Sequence, residues 1–145
     1  MEVIRRNTDY ALRALVYLAM EPQAVRTAAE ISSSQDIPLE FLQKVLQKCV
    51  RAGLVISHRG PQGGFSLAKD PREVTVLDVV EIVQGPLTMN QCFVGAKGCL
   101  RAETCPLKGR WSKIEADVSQ FLRGVTLYDL VRELRDGESD DSGSR

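Results

Sequence analysis

Between Thr27 and Ala68 three local signals follow one another in an order that few folds accommodate. Thr27-Ala28-Ala29-Glu30 is a capping box, in which the hydroxyl and the carboxylate each satisfy a backbone amide left free at a helix start. The helix it opens is short, carrying Ala28, Ala29 and Ile31 before Ser32-Ser33-Ser34. Pro38 then sits where a first helical turn tolerates proline. After it Phe41, Leu42, Val45, Leu46, Cys49 and Val50 recur as one apolar stripe, and Gly53 supplies the stop. Leu54-Val55-Ile56-Ser57 and Phe65-Ser66-Leu67-Ala68 read as two short strands. The segment joining them, His58-Arg59-Gly60-Pro61-Gln62-Gly63-Gly64, makes a long, glycine-rich tip. A short helix, a tight turn, an amphipathic helix and a hairpin form a winged helix-turn-helix pattern. In that arrangement the second motif helix enters the major groove and the hairpin tip lies over the adjacent minor groove or phosphates.

The flanks are helical. Tyr10, Leu12, Leu15, Val16, Leu18 and Ala19 have helical spacing from Thr8, and Glu21-Pro22 ends that run. Thr75 caps a helix through about Val83, broken by Gly85-Pro86. Pro106 opens an amphipathic helix with Leu107, Trp111, Ile114, Val118, Phe121 and Leu122 on one side, and Thr126 caps a last short helix to about Arg135. The expected fold is mainly α with a small β-hairpin wing: a winged helix-turn-helix DNA-binding domain plus a long dimerisation helix. Its parts are the DNA-binding domain over 1–84, a cysteine loop over 85–105, the dimerisation and short C-terminal helices over 106–136, and a polar, disordered tail over 137–145.

Charge localises the interface. The 19 Lys+Arg balance 19 Asp+Glu, but over residues 43–72 Lys44, Lys48, Arg51, Arg59, Lys69 and Arg72 face only Asp70, a local +5. Residues 124–145, with three cations and six carboxylates, stand at −3. A basic stretch inside a neutral chain is a footprint for polyanions. The face of helix 38–52 opposite its stripe shows Leu39, Glu40, Gln43, Lys44, Gln47 and Lys48. Glutamine pairs with adenine, glutamate accepts from cytosine, and lysine reaches guanine or phosphate. In the wing Arg59, Gly60, Gln62 and Gly63 are the candidates, an arginine among glycines that let the backbone come close to DNA. One helix and one wing contact few base pairs, so a homodimer reading two half-sites of double-stranded operator DNA is expected, with helix 106–123 as its dimerisation surface.

No apolar run approaches a membrane span. Leu15 to Met20 follows Arg5, Arg6, Asp9 and Arg13 and lacks a small-residue cleavage site, so no membrane association and a cytoplasmic location are expected. Cysteines there serve as free thiols or metal ligands. Cys92, Cys99 and Cys105 are spaced C-x6-C-x5-C around Gly95, Lys97 and Gly98, so three soft thiolates on one loop can converge on a metal or an iron–sulfur cluster. The spacing is not the C-x2-C of structural zinc sites, and three unrelated reduced cysteines remain the alternative. Cys49 belongs to the buried stripe and reads as a small core residue. With one histidine, in the wing, no phosphate-cradling loop before a helix and no Ser/His/Asp set, nothing supports catalysis or a small-molecule substrate.

These residues resemble the Rrf-type bacterial regulators, the IscR-, NsrR- and RirA-like iron–sulfur winged-helix proteins. The resemblance covers about residues 1–135. It rests on Asn7-Thr8-Asp9-Tyr10-Ala11-Leu12-Arg13-Ala14-Leu15, on Ile37-Pro38-Leu39-Glu40-Phe41-Leu42-Gln43-Lys44-Val45-Leu46 and on Ala52-Gly53-Leu54-Val55. The wing from Arg59 to Ala68, the three cysteines and Thr126-Leu127-Tyr128-Asp129-Leu130-Val131 continue it. It implies a homodimeric transcription factor, a repressor, with a cluster on Cys92, Cys99 and Cys105 that reports nitric oxide, iron or cluster status, or redox stress. Where IscR-like members supply a histidine ligand three residues past the last cysteine, this chain has Lys108. NsrR-like members use an aspartate near the start of the first helix, given by the partner subunit, to complete a [4Fe–4S] cluster; Asp9 matches it. That favours [4Fe–4S], with [2Fe–2S] as the alternative. A carboxylate in a first helical turn also stabilises the helix by itself. A cluster-free switch by cysteine oxidation is the other functional reading.

Overall fold

The computed structural model describes residues 2–88, 99–101 and 103–141, without the side chains of 140 and 141. Within them lie α1 (Arg6–Met20), α2 (Ala28–Gln35), α3 (Leu39–Arg51), β1 (Val55–His58), β2 (Gly64–Leu67), a 3-10 turn (Pro71–Glu73), α4 (Val76–Gln84), α5 (Lys108–Arg123) and α6 (Leu127–Asp141).

Three capping boxes set the starts of α2, α4 and α6. Thr27 and Glu30, Thr75 and Asp78, and Thr126 and Asp129 exchange side-chain and backbone hydrogen bonds of 2.9–3.2 Å. Two of the caps lie side by side. Val76 N donates to Val125 O (2.8 Å) and Leu127 N to Val74 O (2.9 Å), so the caps of α4 and α6 are joined by one antiparallel bridge, Thr75 opposite Thr126. The turn between α2 and α3 depends on Asp36, whose φ of 52° is left-handed, a conformation Asp reaches more readily than most residues. Ile37 N and the Ser32 hydroxyl close that turn, donating to Ser32 O and Ile37 O.

α1, α3 and α4 enclose the main core. Ala11, Leu15 and Leu18 meet Ile31, Leu42, Leu46 and Cys49, and Val79, Leu127 and Val131 close it. Leu54, Val55 and Leu67 anchor the hairpin to it. The strands pair antiparallel with Val55 opposite Leu67 and His58 opposite Gly64. Arg26 adds a third extended segment, exchanging two backbone bonds with Phe65 (2.9 and 2.7 Å). A smaller cluster of Val76, Val80 and Leu87 receives Val118 and Leu122 from α5.

Three expectations change. Phe41, assigned to the buried stripe, is 44% exposed and packs its ring beside Tyr10 at 6.4 Å between centroids. It lies in the first turn of α3, before the helix reaches the core. The last helix does not stop near Arg135, and residues 137–141 of the expected tail continue α6. Composition measures burial, and no residue from 132 to 139 is buried. A helix already nucleated at Thr126 needs only one further backbone bond per residue to propagate. Residues 142–145 lie outside the described residues. The strands also sit one residue off at both ends, Val55–His58 for 54–57 and Gly64–Leu67 for 65–68.

Candidate nucleic-acid interface

Burial of Leu42, Val45, Leu46 and Cys49 fixes the rotation of α3, because residues three and four apart share a face. The opposite face is solvent-exposed at Leu39, Glu40, Gln43, Lys44, Gln47 and Lys48. Gln43, Lys44, Gln47, Lys48 and Arg51 line one shallow groove along it. Arg51 joins the candidates from structure; its signal in sequence was membership of the basic window. Lys44 pairs with Glu40 at 3.5 Å, but both side chains are at least 70% exposed. Such a pair is worth about 0.3–0.5 kcal/mol, little enough for a phosphate or a base to replace it.

Lys48 is different. Its ammonium donates to Val83 O (3.1 Å) in the last turn of α4, where carbonyls lack intrahelical partners and a cation is favoured. It therefore ties α3 to the end of α4. Next in sequence, the Gln84 side chain makes three bonds to the N-terminal segment. Its Oε1 accepts from Arg5 N (3.0 Å) and from the fully buried Thr8 hydroxyl (2.7 Å), and its Nε2 donates to Val3 O (2.9 Å). Gly85 follows with φ of 86°, a left-handed turn that only glycine takes without strain, and leads into the cysteine segment. Sequence reasoning missed both knots, since the partners lie 35 and 76–81 residues apart.

In the hairpin Arg59, Gly60 and Gln62 are exposed and Gly63 half-buried. Two of the glycines are required internally as well. A Cβ at Gly63 would overlap the His58 carbonyl, and one at Gly64 would overlap the backbone of Arg26. His58 lies half-buried with Nε2 2.7 Å from the Ser66 hydroxyl, which holds its ring within the hairpin.

Asp9 is exposed in the first turn of α1, 3.2 Å from Arg13 Nε. Arg13 also donates to Gln35 O (2.8 Å), joining α1 to the end of α2. Cys99 is an exposed free thiol and Cys105 a half-buried one. Cys92 lies outside the described residues, and among those described no three potential metal ligands gather. The donor types fit a cluster: soft, unpaired thiols with an accessible carboxylate. Cys49 is no ligand; burial pushes its thiol up to about 11, against the pull of the Lys48 charge. α5 buries none of its residues, and Leu107, Ile114 and Phe121 are 40–71% exposed.

A family model described as Rrf2, iron-dependent transcriptional regulator, matches residues 4–133. The chain belongs to the Rrf2 family of transcriptional regulators. It is 33% identical to the regulator IscR of Aliivibrio salmonicida over 84% of this chain and 73% of that one. It is 32% identical to the regulator NsrR of Shouchella clausii over 86% of this chain and 85% of that one. Two solved structures share its fold at 24% identity and a TM-score of 0.76: T. potens IscR, over 92% of this chain and 89% of that, and CymR, the global cysteine regulator of B. subtilis, over 92% and 98%. This Rrf2 protein is accordingly a DNA-binding transcriptional regulator, with a helical fold and a two-stranded wing, in a non-enzymatic family. None of its described helices is long and apolar enough to cross a membrane.

Proposed function

We propose that this Rrf2 regulator is a homodimeric repressor whose operator affinity is set through the cysteine segment, and that Cys92, Cys99 and Cys105 hold an iron–sulfur cluster. The observation that carries this reading is the double knot at the end of α4, where Lys48 holds α3 and Gln84 holds the start of α1. The segment bearing the cysteines leaves directly from that turn at Gly85. When bound, the cluster supplies a redox- and nitric-oxide-reactive crosslink between thiolates, [4Fe–4S] being favoured with Asp9 of the partner subunit as fourth ligand. The chain's own residues transmit its state. A shift of the α4 end alters the Lys48 bond, and with it the rotation and charge that α3 offers the groove. Coupling of this kind is worth about 1–3 kcal/mol, or roughly 5–150-fold in affinity.

Leu39, Glu40, Gln43, Lys44, Gln47 and Arg51 read base edges and phosphates, and Arg59, Gly60, Gln62 and Gly63 follow the minor groove. The exposed apolar side of α5 pairs with its copy and spaces the two α3 helices. Purification without oxygen, followed by visible absorption and electron paramagnetic resonance, tests the cofactor. A brown protein with an iron–sulfur spectrum, lost in Cys92→Ala, Cys99→Ala or Cys105→Ala, is the expected result; a colourless anaerobic protein with full operator response overturns it. A second reading has one specific support: Cys99 and Cys105 are both free and accessible, so a cluster-free switch by thiol oxidation has its reactants in place. That colourless result, with a disulfide formed on oxidation, would favour it.

A further inference from the structure

A cleft of about 720 Å³ opens between the end of α1, the hairpin, the 3-10 turn and α6, apart from the α3 groove and the cysteines. Lys69, Arg72, Arg132 and Arg135 line it with Tyr128 and His58, and Asp70 is its one carboxylate. The cleft thus stands near +3 in a chain whose net charge is zero. Asp70 is only partly available to neutralise it. Its Oδ1 accepts from Arg72 N (2.8 Å) to cap the 3-10 turn, and its Oδ2 lies 3.9 Å from the Arg72 guanidinium. The arginines are held in place. Arg72 stacks 4.3 Å from the Tyr128 ring centroid, Arg132 lies 5.9 Å from the same ring, and Arg135 donates to Met20 O (3.1 Å). Stacking occupies the face of a guanidinium and leaves its edge N–H groups for an acceptor. Arg132 shares its charge with Asp129, but that carboxylate already accepts from Thr126 N (3.0 Å).

We propose that this cleft binds a small, multiply charged oxyanion, of the phosphate or polycarboxylate class, as an effector separate from the cysteine segment. Gathering four cations along one cleft costs repulsion that an oxyanion relieves, and arginine meets both groups through paired N–H donors. The volume lies within the range of small-ligand sites. Lys69 and Arg72 follow the base of the hairpin, and at about 3.3 Å per residue its four-residue strands set them roughly 13 Å from the tip that carries Arg59. Because the cleft joins α6 to the hairpin, an occupant would hold the wing against the C-terminal helix.

Isothermal titration of the full chain with inorganic pyrophosphate, and separately with citrate, tests this. We expect submillimolar binding by at least one probe, weakened about tenfold or more in the double variant Arg72→Gln with Arg135→Gln, and unchanged in Arg59→Ala. Lys69→Gln with Arg72→Gln leaves the Arg135–Met20 bond intact and should weaken binding as well, which separates loss of the site from loss of the fold. No heat with either probe overturns the proposal, as does equal binding by wild type and both double variants. So does a loss of operator affinity in the double variants without probe binding by wild type, which would assign the cleft to DNA phosphate.

Discussion

α3 and α5 are both amphipathic and of similar length, yet they treat their apolar sides oppositely. α3 buries Leu42, Val45, Leu46 and Cys49 within its own subunit, so what it offers outward is polar and basic. α5 buries nothing fully: Val118 and Leu122 are half-buried against Val76, Val80 and Leu87, while Ile114 and Phe121 stay exposed, Phe121 at 71%. An apolar stripe thus marks a face that must be covered without saying by what. On α3 it is covered inside the subunit and turns the polar face outward; on α5 part of it stays exposed, the part the proposed dimer would cover.

The largest effect that can break this comparison is on stability. Leu46→Ala removes a fully buried side chain and should cost about 2–5 kcal/mol in urea unfolding. Phe121→Ala should leave monomer stability nearly unchanged while shifting sedimentation towards monomer. If Phe121→Ala lowers stability as much as Leu46→Ala at a fixed oligomeric state, α5 packs internally and the contrast fails.

Next comes the division within α3 itself. Lys48→Met removes the bond to Val83 O and should cost about 1 kcal/mol of stability with little change in the salt dependence of operator binding. Lys44→Ala should do the reverse, leaving stability alone and reducing the slope of log affinity against log salt by about 1. Equal salt slopes for the two variants would mean Lys48 contacts phosphate after all. The two thiol environments give a further contrast. In the folded, cluster-free protein iodoacetamide should modify exposed Cys99 rapidly and leave Cys49 untouched, because burial holds that thiol protonated; prompt labelling of Cys49 would mean α3 opens.

The smallest effect concerns α6. The backbone and side-chain bonds from Thr126 lower the pKa of Asp129 below its ordinary 3.8. A depressed carboxylate contributes stability above its unfolded value, and that contribution is lost as pH falls through the folded one. Circular dichroism should therefore show helix loss beginning near pH 4 and growing below it, with a shallower slope in Asp129→Asn. Identical acid profiles for the two proteins would remove the cap from the account.

Local chemistry carried most of the fold into the sequence. The Thr27 box, the order of α2, α3 and hairpin, and the caps at Thr75 and Thr126 all depend on residues within a few positions of each other. The exposure of Phe41 was not legible, because helical spacing places it on the stripe but cannot say where the core begins. Nor was the double role of the wing glycines: closeness to DNA was the sequence argument, and fit against His58 and Arg26 is what the hairpin adds. The candidate DNA face was readable as residue types on one helical side. That Lys48, exposed on that face, also bonds to the end of α4, and that Gln84 clamps Val3, Arg5 and Thr8, required the tertiary fold.

The claim on which all this turns is that the cysteine segment governs the affinity of α3 for DNA. Anaerobic titration of operator DNA at one salt concentration, wild type against the Cys92→Ala, Cys99→Ala, Cys105→Ala triple variant, tests it most directly. The account predicts dissociation constants differing by roughly 5–150-fold, with nitric oxide or oxidant moving the wild type towards the variant and leaving the variant unmoved. Equal affinities, with the same response to nitric oxide and oxidant in both proteins, would contradict it.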